Sequence, residues 1–378
     1  MNLSDSEYMK RAIELAKLGV YTAKPNPCVG CVIVKANEIV GLGFHRKAGE
    51  PHAEINALRD AQQRGIDVEG ATAYVTLEPC SHHGKTGPCC EALVTAKLAR
   101  VVVAMTDPNP LVAGRGCEYL RSAGVEVALG VEGEAAKALN KGFIKRMEQG
   151  LPWVQLKMAM SLDGRTAMAS GESQWITGPE ARAAVQQIRA EHGAIITGVD
   201  TVIYDNARLT VRDASFVDEE QRLEILTAQP LRVVLDSALR LPLSADILKQ
   251  PGETWLLTLV AEESRHKPFQ KAGARVIVLP EKSGRIDLQA VLSLLAQAQC
   301  NSVLVEAGAA LAGSFVAEGF VDQLSIFMAP TLLGSDARPL LNWPLSEMAD
   351  QQRLDILSIV AVGDDWRIDA KPVNSANK

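Results

Sequence analysis

Three side chains suited to zinc, His52, Cys80 and Cys89, stand well apart in the sequence, and one ion can use them together only if the chain folds back on itself. The residues around them indicate how it does so. Pro51 suits the first turn of a helix through Glu54-Ile55-Asn56-Ala57-Leu58, and Pro88 suits a helix through Cys89-Cys90-Glu91-Ala92-Leu93. Between these, Ala73-Tyr74-Val75-Thr76-Leu77 reads as a strand whose carboxyl end delivers Cys80, the edge at which open α/β sheets place their chemistry. The positive ends of two helices then face the ion and favour ionised thiolates. One imidazole with two sulfurs leaves a tetrahedral zinc one open position, the pattern of catalytic sites.

Glu54 lies two residues beyond His52, better placed to handle protons than to bind metal. Zinc lowers the pKa of a bound water from about 15.7 to about 7. The hydroxide can then attack a ring carbon bearing an amino group, while Glu54 passes the proton to the ring nitrogen and then to the departing amine. The chain resembles the zinc nucleobase-deaminase signature H-x-E…P-C-x-x-C, with eight residues between Cys80 and Cys89 in place of two. That insert contains His82 and His83, so spacing alone leaves open a metal held by either of them, or no metal. Cys28-Val29-Gly30-Cys31 is a competing metal or redox pair. It opens the apolar run Cys31-Val32-Ile33-Val34, and no second pair with matching spacing follows, which favours buried structural cysteines.

Strands and helices alternate around this site. Ser4-Asp5-Ser6-Glu7 is a capping-box pattern opening a helix that runs to Gly19. A hairpin follows, residues 31–34 and 39–44 about Ala36-Asn37. Beyond Cys89 come a strand at 101–105, a helix at 117–122, a strand at 125–129 and a helix at 132–147, completing a three-layer α/β unit. Gln149-Gly150-Leu151-Pro152 interrupts the pattern, and 378 residues suit two domains, here 1–147 and 148–378. The second half begins with a strand at 153–159, then a helix at 179–192 and a strand at 194–197. A surface loop is expected at 213–221, strands at 232–235, 255–259 and 276–279, a helix at 288–299 and a strand at 302–306. The tail 373–378 is polar and expected to fray.

No apolar run is long enough to span a bilayer, and Met1-Asn2-Leu3-Ser4-Asp5 lacks the basic start and apolar core of a signal peptide. With seven cysteines, an odd number, this points to reduced thiols in the cytoplasm. A net charge of −6 without a Lys/Arg cluster argues against duplex or tRNA binding as the main business, and no membrane partner is expected.

In the second half, the strand, Gly-containing turn and helix at Glu306–Ser314 form an anion site in principle, through bare N–H groups and the helix dipole. The turn matches neither G-x-G-x-x-G nor a P-loop. Arg189 and Arg212 are candidate phosphate clamps, against the competing reading of a solvated helix face and a loop.

Nearly the whole chain, from about Ser6 to Val362, resembles the bifunctional pyrimidine deaminase/reductases of bacterial riboflavin biosynthesis. The first half carries Pro25-Asn26-Pro27-Cys28-Val29-Gly30, Gly43-Phe44-His45, His52-Ala53-Glu54 and Glu78-Pro79-Cys80-Ser81-His82. The second carries Ser161-Leu162-Asp163-Gly164-Arg165, Gly171-Glu172-Ser173-Gln174-Trp175-Ile176-Thr177, Leu209-Thr210-Val211-Arg212 and Val305-Glu306-Ala307-Gly308. The long insert between the cysteines is this family's own variant, which favours Cys80 and Cys89 as ligands.

The resemblance implies an α/β chain: an N-terminal cytidine-deaminase-like three-layer α/β/α domain and a C-terminal α/β domain similar to dihydrofolate reductase. It implies zinc held by His52, Cys80 and Cys89, with Glu54 catalytic. The first domain would remove the 2-amino group of a diaminopyrimidinone ribosyl phosphate, and the second would reduce the ribosyl chain to ribityl with NADPH. Ala159, Trp175, Thr201, Asp205 and Ser237 would contact the dinucleotide, together with Gly308, Ala309, Ala310, Leu311, Ala312, Gly313 and Ser314. Ser173, Arg189, Leu209, Arg212 and Glu306 would contact the reductase substrate, and Asn26, His45, His82 and Lys85 the deaminase substrate. Lys157 is a candidate to manage protons or charge in the reductase. Similar proteins assemble as homo-oligomers. Two departures from the family pattern, Gly87 before Pro88-Cys89 and Ala207 before Arg208, touch loop rigidity but remove no ligand or charge.

Two other readings compete. A zinc nucleoside or tRNA deaminase with a non-catalytic C-terminal binding domain would need a basic or aromatic single-strand channel, against 4% aromatic residues and an acidic balance. A structural zinc would close with four protein ligands, whereas this pattern offers three and Glu54.

Overall fold

Ser4 closes a capping box at the start of α1 (Asp5–Lys17): its hydroxyl accepts from the Glu7 N–H, and its own N–H donates to the Glu7 carboxylate at 2.7 Å. This computed structural model describes residues 3–81, 87–110 and 112–373. The chain divides into two units, Met1–Leu151 and Pro152–Lys378.

In the first unit, β1 (Gly30–Lys35) and β2 (Glu38–Phe44) form a hairpin. Its turn residues Ala36 and Asn37 have φ of 49° and 66°, the left-handed pair that matches strand twist. Then follow α2 (Ala53–Gln63), β3 (Thr72–Val75), α3 (Cys89–Thr95), β4 (Arg100–Val103), α4 (Arg115–Ser122), β5 (Glu126–Leu129), α5 (Gly133–Leu139) and α6 (Lys141–Gln149). The sheet order is β2-β1-β3-β4-β5, with β1 antiparallel to both neighbours and β3, β4 and β5 parallel. Alternating side chains fill two layers. Ile33, Val75 and Val103 pack against Ala57, Leu93 and Leu120 of α2, α3 and α4, while Val32, Tyr74 and Val102 pack against Met9 and Ile13 of α1 and Ala136 of α5.

Two local expectations change. Pro51 and Pro88 both lie outside the first helical turn: His52 is the N-cap of α2, and Pro88 is itself the N-cap of α3. The helix expected over 132–147 is broken at Asn140. Its buried amide leaves the helix to accept from the Cys28 N–H and donate to the Cys28 carbonyl, both at 2.8 Å.

The second unit runs β6 (Trp153–Ser161), β7 (Arg165–Ala167), α7 (Pro179–Glu191), β8 (Ala194–Gly198), α8 (Val199–Asp205), α9 (Glu219–Thr227), β9 (Leu231–Leu235), β10 (Thr254–Thr258), α10 (Glu263–Lys271) and β11 (Ala274–Val278). It continues through β12 (Glu281–Lys282), β13 (Arg285–Ile286), α11 (Leu288–Gln297), β14 (Ser302–Glu306), α12 (Ala309–Ala317), β15 (Gln323–Ala329), β16 (Arg338–Pro339), β17 (Leu354–Val362) and β18 (Asp365–Pro372). The main sheet has nine strands in the order β11-β10-β9-β8-β14-β6-β15-β18-β17. The first seven are parallel to their neighbours, and β18 and β17 add antiparallel. Ile195, Val234, Leu256, Leu304 and Phe327 from the sheet pack with Ile188 of α7 in its core.

The loop expected at 213–221 ends early, because Asp218 caps α9 by accepting from the Gln221 N–H. Only Ile225 of α9 is buried, so its sequence shows almost no apolar stripe. The Gly-containing turn before Ser314 is short: Gly308 is the N-cap, and 309–314 are already helical. No helix among the described residues is long and apolar enough to cross a membrane. The tail beyond Val373 lies outside the described residues.

Candidate functional site

The carboxyl end of β3 and the beginnings of α2 and α3 meet at one point. His52 caps α2, Cys80 follows β3, and Cys89 opens α3. Their ligand atoms all lie within 4.8 Å of one another. His52 Nδ1 is 3.5 Å from Cys80 Sγ and 3.3 Å from Cys89 Sγ, and the Cys89 N–H donates to Cys80 Sγ at 3.3 Å. Such close donors make Cys80 the more readily ionised sulfur, because the Cys89 thiol and His52 both stabilise its thiolate, while Cys89 is driven the other way by that same neighbour. An imidazole and two sulfurs at this separation are a donor set that fits zinc. Glu54, in the first turn of α2, is 3% exposed; burial first, and then the Cys80 sulfur, push its carboxyl up to about 7.

Neighbouring residues hold these groups in place. Gly43 lets α2 lie directly on β2, where an added Cβ would come within 2.2 Å of the Ala53 carbonyl. The buried Glu78 carboxylate accepts four backbone N–H groups: Asp107 and Gly114 on Oε2, at 3.1 and 2.9 Å, and Gly116 and Cys117 on Oε1, at 2.8 and 3.1 Å. It ties the Cys80 loop to the start of α4. The sequence motif contained Glu78 but gave it no role, since its partners lie 29 to 39 residues away. His45 stands edge-on to His52, ring centroids 5.3 Å apart. The Pro51 carbonyl can only accept, so His45 Nδ1 carries the proton toward it at 3.3 Å, and Nε2 accepts from the Asn26 amide at 3.0 Å. Asn26 and His45 therefore lie together beside His52. His82, His83 and Lys85 lie outside the described residues. Cys28 and Cys31 are buried in and beside β1, and burial pushes the Cys28 thiol up to about 12. Gly87 is exposed with open space around it, so nothing there demands glycine.

The second unit holds a cleft of about 1850 Å³ at the carboxyl ends of its parallel strands. It brings together Lys157, Ala159, Ser173, Trp175, Arg189, Thr201, Asp205, Leu209, Arg212, Ser237 and Glu306 with Gly308, Ala309, Ala310, Leu311 and Ser314. Two of the expected residues face away from it. Ala312 is fully buried, and Gly313 packs on the Asn342 backbone, where a Cβ would come within 2.3 Å of the carbonyl. Helical periodicity turns these two inward while Leu311 and Ser314 stay on the cleft face.

Charges at the floor of the cleft are paired. Arg189 donates to both Glu306 oxygens and to the Thr210 carbonyl, at 2.6, 2.9 and 3.0 Å, so its fork is occupied by protein rather than open to a phosphate. Burial works against the Glu306 carboxylate, but Arg189 outweighs it and holds the group below the usual range. Burial lowers the Lys157 ammonium, with Glu306 opposing. Arg212 remains exposed on the cleft wall, and the Ser173 hydroxyl donates to Asp205 at 2.8 Å. Sequence reasoning missed the cleft's stacked cations, Arg338 over Tyr204 and Arg182 over Trp175, with centroid distances of 5.0 and 4.5 Å. Neither pair follows a local sequence pattern.

Comparison with known proteins assigns both units. The zinc-binding region of cytidine and deoxycytidylate deaminases matches residues 3–105, and the RibD C-terminal domain matches residues 152–368. The riboflavin biosynthesis protein RibD of Escherichia coli K12 is 50% identical over 366 residues, covering 96% of this chain and 98% of that protein. RibD of Bacillus amyloliquefaciens is 42% identical over 369 residues, covering 97% and 95%. Among solved structures, Acinetobacter baumannii RibD superposes with a TM-score of 0.89 at 47% identity, covering 98% of this chain and 99% of that one. The diaminohydroxyphosphoribosylaminopyrimidine deaminase/5-amino-6-(5-phosphoribosylamino)uracil reductase of Thermotoga maritima gives 0.84 at 32% identity, with the same coverage of 98% and 99%. A cytidine-deaminase-like α/β/α domain is thus followed by a reductase domain of the dihydrofolate-reductase-like α/β type. The chain belongs to the RibD family, the bifunctional deaminase/reductases of riboflavin biosynthesis.

Proposed function

We propose that the first domain deaminates 2,5-diamino-6-(5-phosphoribosylamino)pyrimidin-4(3H)-one hydrolytically to 5-amino-6-(5-phosphoribosylamino)uracil. The second then reduces the ribosyl chain of that product to ribityl with NADPH. The observation that carries this reading is the convergence of His52, Cys80 and Cys89 within 4.8 Å beside a buried Glu54. One zinc bound by these three supplies a Lewis acid that makes water nucleophilic near neutral pH. Glu54, with its carboxyl pushed up to about 7, accepts one proton of the water and delivers it to the ring nitrogen, then carries the second, from the added hydroxyl, to the leaving amine, which departs as ammonia. Asn26 and His45 orient the pyrimidine, His45 with a fixed tautomer; the family resemblance assigns His82 and Lys85, outside the described residues, to the same substrate, Lys85 to its phosphate.

NADPH bound in the cleft supplies the hydride. The free N–H groups at the start of α12, from Ala309 to Leu311, hold its pyrophosphate behind the Gly308 cap, with Ser314 on the same face. Ala159, Trp175, Thr201, Asp205 and Ser237 line the path of the dinucleotide. Ser173, Leu209 and the exposed Arg212 receive the ribosyl phosphate, and Arg189 sets the orientation of Glu306 toward it. Lys157 and Glu306 manage charge where the sugar opens. The protein works in the cytoplasm as a homo-oligomer. The support for assembly is the sheet-edge strand β17, where Ile356, Leu357 and Ile359 are 55%, 52% and 56% exposed.

The test follows ammonia release and NADPH oxidation together on the diaminopyrimidinone ribosyl phosphate. Ammonia should appear first and NADPH consumption should depend on it. Turnover of RNA or free nucleosides in place of this substrate would overturn the reading.

A further inference from the structure

The order of strands separates the two ends of the cleft. In the run β9-β8-β14-β6, the start of α12 follows β14, with Ala159 of β6 on one side and Ser237, just past β9, on the other. A nicotinamide dinucleotide with its pyrophosphate at α12 and its nicotinamide toward Ala159 therefore lays its adenosine toward β8 and β9. Three cations from segments that follow strands on that side of the sheet line the cleft: Arg240, beyond β9, and Lys282 and Arg285, on the small β12–β13 hairpin that follows β11.

These three are not equivalent. Arg240 is paired with Asp200 at 2.7 Å, and Lys282 with Glu318 at 2.6 Å. Arg285 has no carboxylate partner among the described residues; its Nη1 donates only to the Ser314 hydroxyl, at 3.2 Å, and that hydroxyl donates to the Ala310 carbonyl at 3.0 Å. The two other arginines stacked in the cleft, Arg182 and Arg338, lie over Trp175 and Tyr204. Arg285 is thus an exposed guanidinium held at the cleft wall by a neutral hydroxyl, with most of its donors available. A planar fork of this kind suits two oxygens of a phosphate, whereas a ribose hydroxyl offers no charge to pair with it.

We propose that Arg285 binds the 2′-phosphate of the adenosine ribose and is the residue that selects NADPH over NADH. This rests on the reading that the cleft holds a nicotinamide dinucleotide. The neighbouring carboxylates at Asp200 and Glu318 neutralise the other two cations, so the local preference for phosphate falls to Arg285.

Binding to the full-length protein, without turnover, tests the assignment. Nicotinamide fluorescence titrations give Kd for NADPH and NADH, and displacement by 2′,5′-ADP and 5′-AMP reads the 2′-phosphate alone. For Arg285→Gln, Kd for NADPH should rise about tenfold or more, the effect of losing one charge-assisted contact. Kd for NADH should stay unchanged, which also reports an intact cleft, and 2′,5′-ADP should lose its advantage over 5′-AMP. Arg285→Lys should keep part of the preference. Equal weakening of both nucleotides, an unaltered preference, or loss of preference in Arg240→Gln or Lys282→Gln instead would overturn the assignment. A wild-type chain that binds neither nucleotide would overturn the cleft reading itself, and this assignment with it.

Discussion

Arg189 and Glu306, 117 residues apart, form a two-point ion pair at the floor of the reductase cleft, Nε to Oε1 at 2.6 Å and Nη2 to Oε2 at 2.9 Å. Both side chains are buried, so each charge is tolerable because of the other. Arg189→Ala strands the Glu306 carboxylate and should lower the stability of the second domain by about 3–5 kcal/mol. Adding Glu306→Ala should recover part of that loss. Urea unfolding of the single and double variants measures the coupling; additive losses would show that the pair does not act as a unit.

The same pair predicts an acid response. The folded Glu306 carboxyl lies below its ordinary value, so the unfolded chain binds its proton more readily. The pair's contribution is complete above the unfolded value of about 4.3 and is lost as pH falls through the lower folded value. Urea midpoints measured from pH 6 downward should fall over that window. Arg189→Ala should lose this component of the fall.

Glu54 sits beside the ligands but outside the set that meets at one point. Glu54→Gln should therefore retain zinc, by atomic absorption, while ammonia release drops by about 10²–10⁴-fold. Reduction of supplied deaminated intermediate should continue at the wild-type rate. An undiminished ammonia rate would remove Glu54 from the proton path.

Cys80→Ser or Cys89→Ser deletes one of three donors and should abolish stoichiometric zinc binding and deamination together. Chelation of the wild-type protein should do the same, with activity returning on addition of zinc. NADPH oxidation on the deaminated intermediate should survive both treatments. Full deamination by a zinc-free protein would sink the metal assignment.

Glu78 is not one of the three ligands, yet it gathers four N–H groups under the Cys80 loop. Glu78→Ala leaves those donors buried and should destabilise the first domain by on the order of 3 kcal/mol. Zinc affinity should weaken by about 10–100-fold, as when other outer partners of metal ligands are lost. Competition with a zinc-binding dye reads this directly, and an affinity equal to wild type would make Glu78 a residue of stability alone.

Local chemistry carried the sequence a long way. The capping box at Ser4 and Glu7, the Ala36-Asn37 turn and the continuous apolar runs of β1, β3 and β14 act between near neighbours, so a linear reading can find them. The spacing of His52, Glu54, Cys80 and Cys89 named a chemistry because metal ligation allows few donor sets. Other features depended on partners the linear sequence does not place. Asn140 breaks a helix only because Cys28 lies beside it, Arg189, read as a phosphate clamp against a solvated helix face, enters a buried pair only because β14 brings Glu306 to α7, and Ala312 and Gly313 face inward because the core lies on that side of α12. A short-range preference is encoded in neighbouring residues, whereas the partner of a buried polar group is chosen when distant segments pack, and only the folded chain shows which one it found.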